Sequence, residues 1–461
     1  MQIKKSIAVI LPRGESIRNF VYSGIIDELR SNYHVILIAV KPNDTIWHIL
    51  STKSDELAEL KTPVFSYLFR LFFEIYDLAH NRFMWSEAAK VRWKMRDVES
   101  KTFSGKFTRM LKKGLATFLA NQPSLKALEK FDSYLGKKEK CVQPWVKFFQ
   151  STKPDIVFNT SHSHARNAVP CIYAAQKLNI KTFTFLFSWD NLTSQGRVVP
   201  RYDHYLSWNN KIKEDFNRMY PHISKSSVVV TGTPQFIGHY QHEKHLTDEE
   251  VKKQLGLEPK EQYFVYSSGM SHHMPFEPYV VGRIADIIRK LGPQYRLVVR
   301  TYAKDRYDVF DKLKSERPDI IIPDVQWEKQ YQTPLWEDQV FFSSLLKHCV
   351  AGINVASTIS LELCMFDKPA VNVGYNPPGK NIFPYNYTRF YSFDHYKPIV
   401  ESGAVQVAND EKEMEHYLKE AIEYPGKFSR ERKQLINDFF EGRQGLDVVP
   451  HFVKAINQLS S

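Results

Sequence analysis

The stretch Val350–Gly374, VAGINVASTISLELCMFDKPAVNVG, admits few structures. A short apolar run, Val350–Val355, is followed by a polar break, a segment of helical character opening at Ser357, and a second apolar run, Ala370–Val373. Runs of this length divided by one helix describe a strand–helix–strand unit. Ser357, Thr358 and Ser360 would bring hydroxyls to the helix N-terminus, where unsatisfied N–H groups and aligned peptide dipoles favour negative charge. That is a seat for a phosphate. Glu362 lies four residues after Thr358 and so shares its helix face about one turn further on, within reach of a ribose attached to that phosphate. The same residues also suit an ordinary capped βαβ unit.

The stretch resembles the donor-site segment of GT-B glycosyltransferases and of the related UDP-N-acetylglucosamine 2-epimerases. In these a strand, a small-residue turn, a helix with an acidic residue and a Lys-Pro-hydrophobic strand recur. The resemblance implies diphosphate contacts at Ser357 and Thr358 and a ribose-binding carboxylate at Glu362. Lys368 and Pro369 match the Gly-Lys-Pro that opens the next strand, with Asp367 in place of the glycine. Thr358 and Ile359 stand where the family carries a Gly-Gly pair.

A chain of 461 residues is too long for one typical core, so two α/β domains are expected. Hydrophobic residues at 43% and aromatics at 14% exclude a disordered chain. Cys141, Cys171, Cys349 and Cys364 form no CxxC pair, so neither a disulfide framework nor a zinc ribbon is indicated and a reducing cytoplasm fits. Lys4 and Lys5 precede the apolar run Ser6–Leu11, but Pro12, Arg13 and Glu15 end it too early for a signal peptide. No run is long enough to span a bilayer, so any membrane contact is expected to be peripheral.

The first βαβ unit is expected from Ser6–Leu11, a helix over 17–30 and a strand over 34–40. Arg13 and Glu15 follow the first strand, at the edge where open α/β sheets bind ligands. Alternation resumes with strands over 155–159 and 181–187, joined by a helix over 165–178. The loops after these strands collect His162, His164, Trp189, Asp190 and Asn191. A base that takes a proton from an attacking hydroxyl is a carboxylate or a histidine. Asp190 is the first candidate, with His162, His164 and Glu15 beside it. Asp190 with Asn191 also suits a turn cap, and His162-x-His164 a hydrogen-bonded loop. The histidine pair lacks the further ligands of a metal site, so no metal and no cofactor are expected.

Residues 61–150 interrupt this alternation with helical, aromatic-rich sequence. They hold 18 Lys and Arg against 8 Asp and Glu, so most of the net charge of +12 sits here. Phe107, Met110, Leu111, Leu115, Phe118 and Leu119 recur at helical spacing, with Lys106, Arg109, Lys112 and Lys113 on the other side. Such a helix suits either an anionic membrane surface or a subdomain packed on the sheet with its basic face in water. No recognised nucleic-acid module accompanies the charge, so nucleic acid is not an expected partner.

Val230–Pro234, VTGTP, resembles the hand-over between the two GT-B domains, and the charged, His-rich stretch His239–Glu261 reads as the linker. Domain limits are therefore placed at residues 1–236 and 237–448, with a helix in 449–461 packed on a domain face. The second domain is expected to open with the strand Gln262–Ser267. By the resemblance, Gly269 lies against the donor phosphates, and Arg300 with Lys304 supplies the basic group after the next strand. Trp327 and Trp336 bracket a loop suited to packing, of a base or of the core.

The combined expectation is an α/β GT-B chain: two Rossmann-like doubly wound domains facing a central cleft, with a helical insertion in the first. The implied activity transfers sugar from a nucleotide-sugar donor, uridine-linked by family likeness, to a glycan or lipid-linked acceptor. A UDP-sugar 2-epimerase, a CMP-releasing transferase and a non-catalytic scaffold stand as alternatives.

Overall fold

The computed structural model describes residues 4–99, 102–302, 304 and 309–460. The chain divides into two compact units, Met1–Gln235 with Leu446–Ser461, and Phe236–Gly445.

Unit 1 is built on seven parallel strands: β1 (Lys5–Leu11), β2 (Tyr33–Ala39), β3 (Glu56–Glu59), β4 (Ile156–Asn159), β5 (Lys181–Phe185), β6 (His204–Ser207) and β7 (Val228–Val230). They lie in the order β3-β2-β1-β4-β5-β6-β7. Ile7–Leu11 and Val35–Val40 are completely buried, because helices cover both faces of a parallel sheet; that is why these strands read as continuous apolar runs. The helix expected over 17–30 is interrupted. Gly24 takes φ +88°, which a continuing helix cannot, and α1 (Ile25–Asn32) starts afresh after it. The edge strand β3 carries Glu at both ends and escapes an apolar-run reading.

The insertion between β3 and β4 folds as α2 (Tyr67–Met84), α3 (Glu87–Glu99), α4 (Phe103–Leu119), α5 (Gln122–Gly136) and α6 (Gln143–Thr152). Its small core joins Tyr76, Leu78 and Ala79 to Ala116 and Leu125. The orientation of α4 reverses the packed-subdomain expectation. Three of its four basic residues turn inward, Lys106 staying exposed: Lys112 pairs with Glu74 of α2 at 2.7 Å, and Arg109 and Lys113 share Asp97 of α3. Its apolar stripe faces water instead. The helix α7 (Val169–Lys177) follows β4, and the helix Val448–Ser460 closes the unit. Phe452 of that closing helix meets Phe20, Phe158 and Phe185 at centroid distances of 5.5, 5.8 and 5.7 Å.

Unit 2 repeats the plan. Its strands are β8 (Gln262–Ser267), β9 (Tyr295–Arg300), β10 (Ile320–Ile321), β13 (Gly352–Asn354), β14 (Ala370–Val373) and β15 (Val405–Ala408), with a separate hairpin of β11 (Trp327–Glu328) and β12 (Thr333–Pro334). The parallel sheet runs β10-β9-β8-β13-β14-β15. Helices α8 (Glu277–Leu291), α9 (Trp336–His348) and α10 (Ile359–Met365) complete the parts that matter below. The stretch read as a linker is folded here. Thr247 and Glu250 form a reciprocal cap on the helix Asp248–Leu255, which buries Val251 and Leu255. Among the described residues, no helix is long and apolar enough to cross a membrane.

Candidate functional site

In both sheets the strand order reverses between the first strand and the fourth, at β1/β4 in unit 1 and at β8/β13 in unit 2. The loops leaving neighbouring strands there diverge and open a crevice at the carboxyl edge. The candidate residues fall on these loops.

In unit 1, Pro12–Glu15 follows β1, Thr160–His164 follows β4 and Leu186–Asn191 follows β5. The Arg13 guanidinium donates to both Glu15 oxygens, at 2.7 and 2.5 Å, and lies 4.7 Å over the Phe187 ring. Glu15 is buried and committed to this pair, which makes it a poorer proton acceptor than its place in the chain suggests. His162 is also buried. Its Nδ1 lies 3.1 Å from the Phe187 N–H and 3.2 Å from the Phe185 carbonyl oxygen, and its Nε2 has no hydrogen-bond partner among the described residues. Burial, with His164 and Arg13 nearby, pushes its pKa down to about 4, so the ring is neutral at pH 7. His164 is exposed and takes the left-handed conformation, φ +52°.

Asp190 is partly exposed and firmly held. Its Oδ1 accepts from Ser188 Oγ at 2.5 Å and from Asn191 Nδ2 at 3.2 Å, and its Oδ2 accepts from Ser194 Oγ at 3.0 Å. Ser163 Oγ donates to Asn191 Oδ1 at 2.7 Å, tying the loop after β4 to the loop after β5. The sequence candidates Asp190, His162, His164 and Glu15 thus share one sheet edge, and Asp190 is the carboxylate among them that keeps access to water.

In unit 2 the loop after β13 passes through Ala356, φ +40°, to Ser357 and Thr358, both partly exposed. The Ser357 N–H donates to Asn354 Oδ1 at 3.0 Å. Ser360 behaves differently from the sequence expectation. It is fully buried, and its hydroxyl joins Asn354, Asn372 Oδ1 at 3.1 Å and Tyr396 OH at 2.9 Å. That network binds β13, α10 and β14 together, so the Ser360 hydroxyl is used inside the fold. Glu362 Oε2 lies 2.7 Å from His239 Nε2, and His239 Nδ1 lies 2.8 Å from Ser343 Oγ. Glu362 Oε1 keeps no hydrogen-bond partner among the described residues. The carboxylate is oriented through one oxygen and available through the other.

Two further donor-site candidates are engaged within the unit. The Gly269 N–H donates to both oxygens of the buried Glu277 carboxylate, at 3.0 and 3.1 Å, and Tyr266 OH donates to the same group at 2.8 Å. Gly269 leaves room for Met274, whose Cε would lie 1.8 Å from an added Cβ. The Arg300 guanidinium forms a buried two-point pair with Asp338, at 3.0 and 2.5 Å. Asp338 also accepts from Trp327 Nε1 at 2.8 Å and from the Gln326 N–H at 3.0 Å, so this α9 carboxylate holds both the hairpin and the Arg300 guanidinium at the end of β9. Lys304 is partly exposed in the loop after β9. Trp327 is held by Asp338, and Trp336 packs under Lys244 at 4.9 Å.

The sequence reading missed His239, Ser343 and Asp338. His239 sits in the stretch taken as linker, and each partner lies far along the chain from the residue it holds. The His-rich composition of that stretch was the one available signal.

No protein-family model matches the chain, and no curated protein sequence does. Solved structures do. UDP-GlcNAc 2-epimerase from Neisseria meningitidis, bound to UDP-GlcNAc, aligns over 98% of this chain and 100% of its own at 11% identity, with a TM-score of 0.57. The UDP-GlcNAc 2-epimerase of Methanocaldococcus jannaschii aligns over 98% and 99% at 13% identity and 0.52. A glycosyltransferase from Rickettsia africae aligns over 99% and 98% at 10% identity and 0.52.

The chain has the GT-B fold. GT-B proteins with two different chemistries align with it equally well, so the fold does not choose between them. The choice rests on the side chains.

Proposed function

We propose that this chain is a glycosyltransferase that moves a sugar from a nucleotide-sugar donor, UDP-linked, to a glycan or lipid-linked acceptor in cytoplasmic assembly of a surface polysaccharide. The observation that carries the reading is Glu362: a buried carboxylate with one oxygen anchored on His239 and the other without a hydrogen-bond partner among the described residues, one turn beyond the partly exposed Ser357 and Thr358. A carboxylate so held accepts hydrogen bonds from a ribose diol, while the partly exposed Ser357 and Thr358, one turn earlier, are the residues nearest to where its diphosphate would lie.

Asp190 supports transfer. As the acceptor oxygen bonds to the anomeric carbon, the bond from that carbon to the diphosphate breaks. The acceptor's proton passes to the Asp190 carboxylate, and the nucleoside diphosphate departs with its electron pair. No metal or cofactor enters this reading. Epimerisation of the donor is the second reading, favoured by the aligned structure that holds UDP-GlcNAc.

The test is thermal stabilisation by UDP, UDP-GlcNAc and CMP, with Glu362→Ala as control, because a ligand that binds the folded state raises the melting temperature. UDP must stabilise the wild type and not the variant. Conversion of UDP-GlcNAc at C2 without acceptor would select the epimerase. A response to CMP alone would select a CMP-releasing transferase, and no response to any nucleotide would select a scaffold.

A further inference from the structure

We infer that the outward face of α4 docks on an anionic lipid bilayer. On a helix, residues 103, 107, 110, 111, 114 and 118 share one face. Here they are Phe103, Phe107, Met110, Leu111, Gly114 and Phe118. Phe103 is 86% exposed, Phe118 79%, Met110 59%, Leu111 57% and Phe107 50%. The first turn of the adjoining α2 adds Tyr67 at 74% and Leu68 at 61%. A helix that serves only a protein core buries such a stripe and exposes its lysines. This one does the reverse, with Arg109, Lys112 and Lys113 neutralised against Asp97 and Glu74 on the inner side. Exposed apolar surface of this extent marks a contact with something else.

Charge identifies the partner. Arg70, one turn from Tyr67 on α2, Lys106, beside Phe107 on α4, and Lys61, ahead of α2, are exposed and make no ion pair among the described residues. They are part of a segment with 18 basic and 8 acidic residues. A second copy docked through the same face would oppose like charges, a costly arrangement in an interface. A bilayer with anionic headgroups supplies the opposite sign at the rim and an acyl boundary for phenylalanine and methionine. At 17 residues, α4 is about 25 Å long, enough to lie in the interface plane and present the whole stripe.

This deepens the lipid-linked-acceptor side of the proposed function and is tested without it. The full chain is sedimented with vesicles of phosphatidylcholine, alone or mixed with phosphatidylglycerol, at low and high salt. The wild type is expected to pellet with the mixed vesicles and to release partly at high salt. Phe103→Ser/Phe107→Ser/Phe118→Ser should lose binding at every salt concentration. Arg70→Gln/Lys106→Gln should lose about 30-fold at low salt. An unchanged thermal midpoint and UDP response in both variants keeps the donor site and the fold out of the result. Failure of the wild type to bind mixed vesicles, or equal binding by the triple variant, overturns the inference. So does concentration-dependent dimerisation abolished by the triple variant without vesicle binding, which would make the partner a second copy.

Discussion

Glu362 is held by His239 from 123 residues away, Oε2 to Nε2 at 2.7 Å, and His239 is itself steadied by Ser343 at 2.8 Å. The carboxylate therefore has one orientation before any ligand arrives. Replacing His239 by Ala removes the anchor but not the acceptor. The expected outcome is a 10- to 100-fold weaker donor, the approximate worth of one charged hydrogen bond, with turnover at saturating donor changed less. Titration of UDP by calorimetry, beside steady-state KM and kcat, checks it. Equal affinity in wild type and variant would leave His239 with a packing role.

Asp190 stands in unit 1 and Glu362 in unit 2, so their losses should separate. Asp190→Asn retains shape and is expected to lower kcat by roughly 10²- to 10⁴-fold while leaving stabilisation by UDP intact. Turnover with acceptor, measured beside the thermal response, makes the comparison. Unchanged turnover would remove Asp190 as the base.

His162 gives the fold an acid-sensitive term. Its pKa in the fold, about 4, lies below the unfolded value near 6.5, so the unfolded chain binds the extra proton as pH falls through that interval. Stability is fully present above about pH 6.5 and declines toward pH 4, by about 2 kcal/mol from His162 between pH 7 and pH 5. His80, buried and lowered to about 3, acts in the same direction. Urea melts at the two pH values should show His162→Gln losing less on acidification than the wild type. A wild type equally stable at both would contradict the buried neutral ring.

The insertion is locked to α7 through α5. A methyl added at Gly136 would sit 2.2 Å from the Tyr173 ring, and that ring is fixed by its hydroxyl, which donates to Asp132 at 2.5 Å. Gly136→Ala should destabilise unit 1 by about 1–3 kcal/mol through overpacking. Asp132→Ala should cost more, about 3–5 kcal/mol, because it strands the buried Arg197 guanidinium that Asp132 meets at 3.1 Å. Denaturant midpoints order the two variants.

What could be read in advance follows from range along the chain. Strands β1, β2, β8 and β14 announce themselves because full burial on both faces demands continuous apolar residues. The βαβ unit at β13–α10–β14 was equally open to reading, and so were the positions of Asp190 on the loop after β5 and of Glu362 on α10. The partners of the site residues were not. Arg300 reads as a cation for a diphosphate until Asp338 is seen against it, and Ser360 reads as a cap until Asn372 and Tyr396 close around it. Periodicity found the stripe on α4 but carries no information about which side faces water. Only the acids on α2 and α3 decide that.

The helix Val448–Ser460 places Phe452 among Phe20, Phe158 and Phe185, yet it follows the whole of unit 2 in the chain. On the ribosome the first seven strands emerge long before the piece that covers this aromatic cluster. Residues 236–445 must be made, and can fold, while the earlier sheet waits with an uncovered apolar face. Unit 1 is thus begun first and finished second.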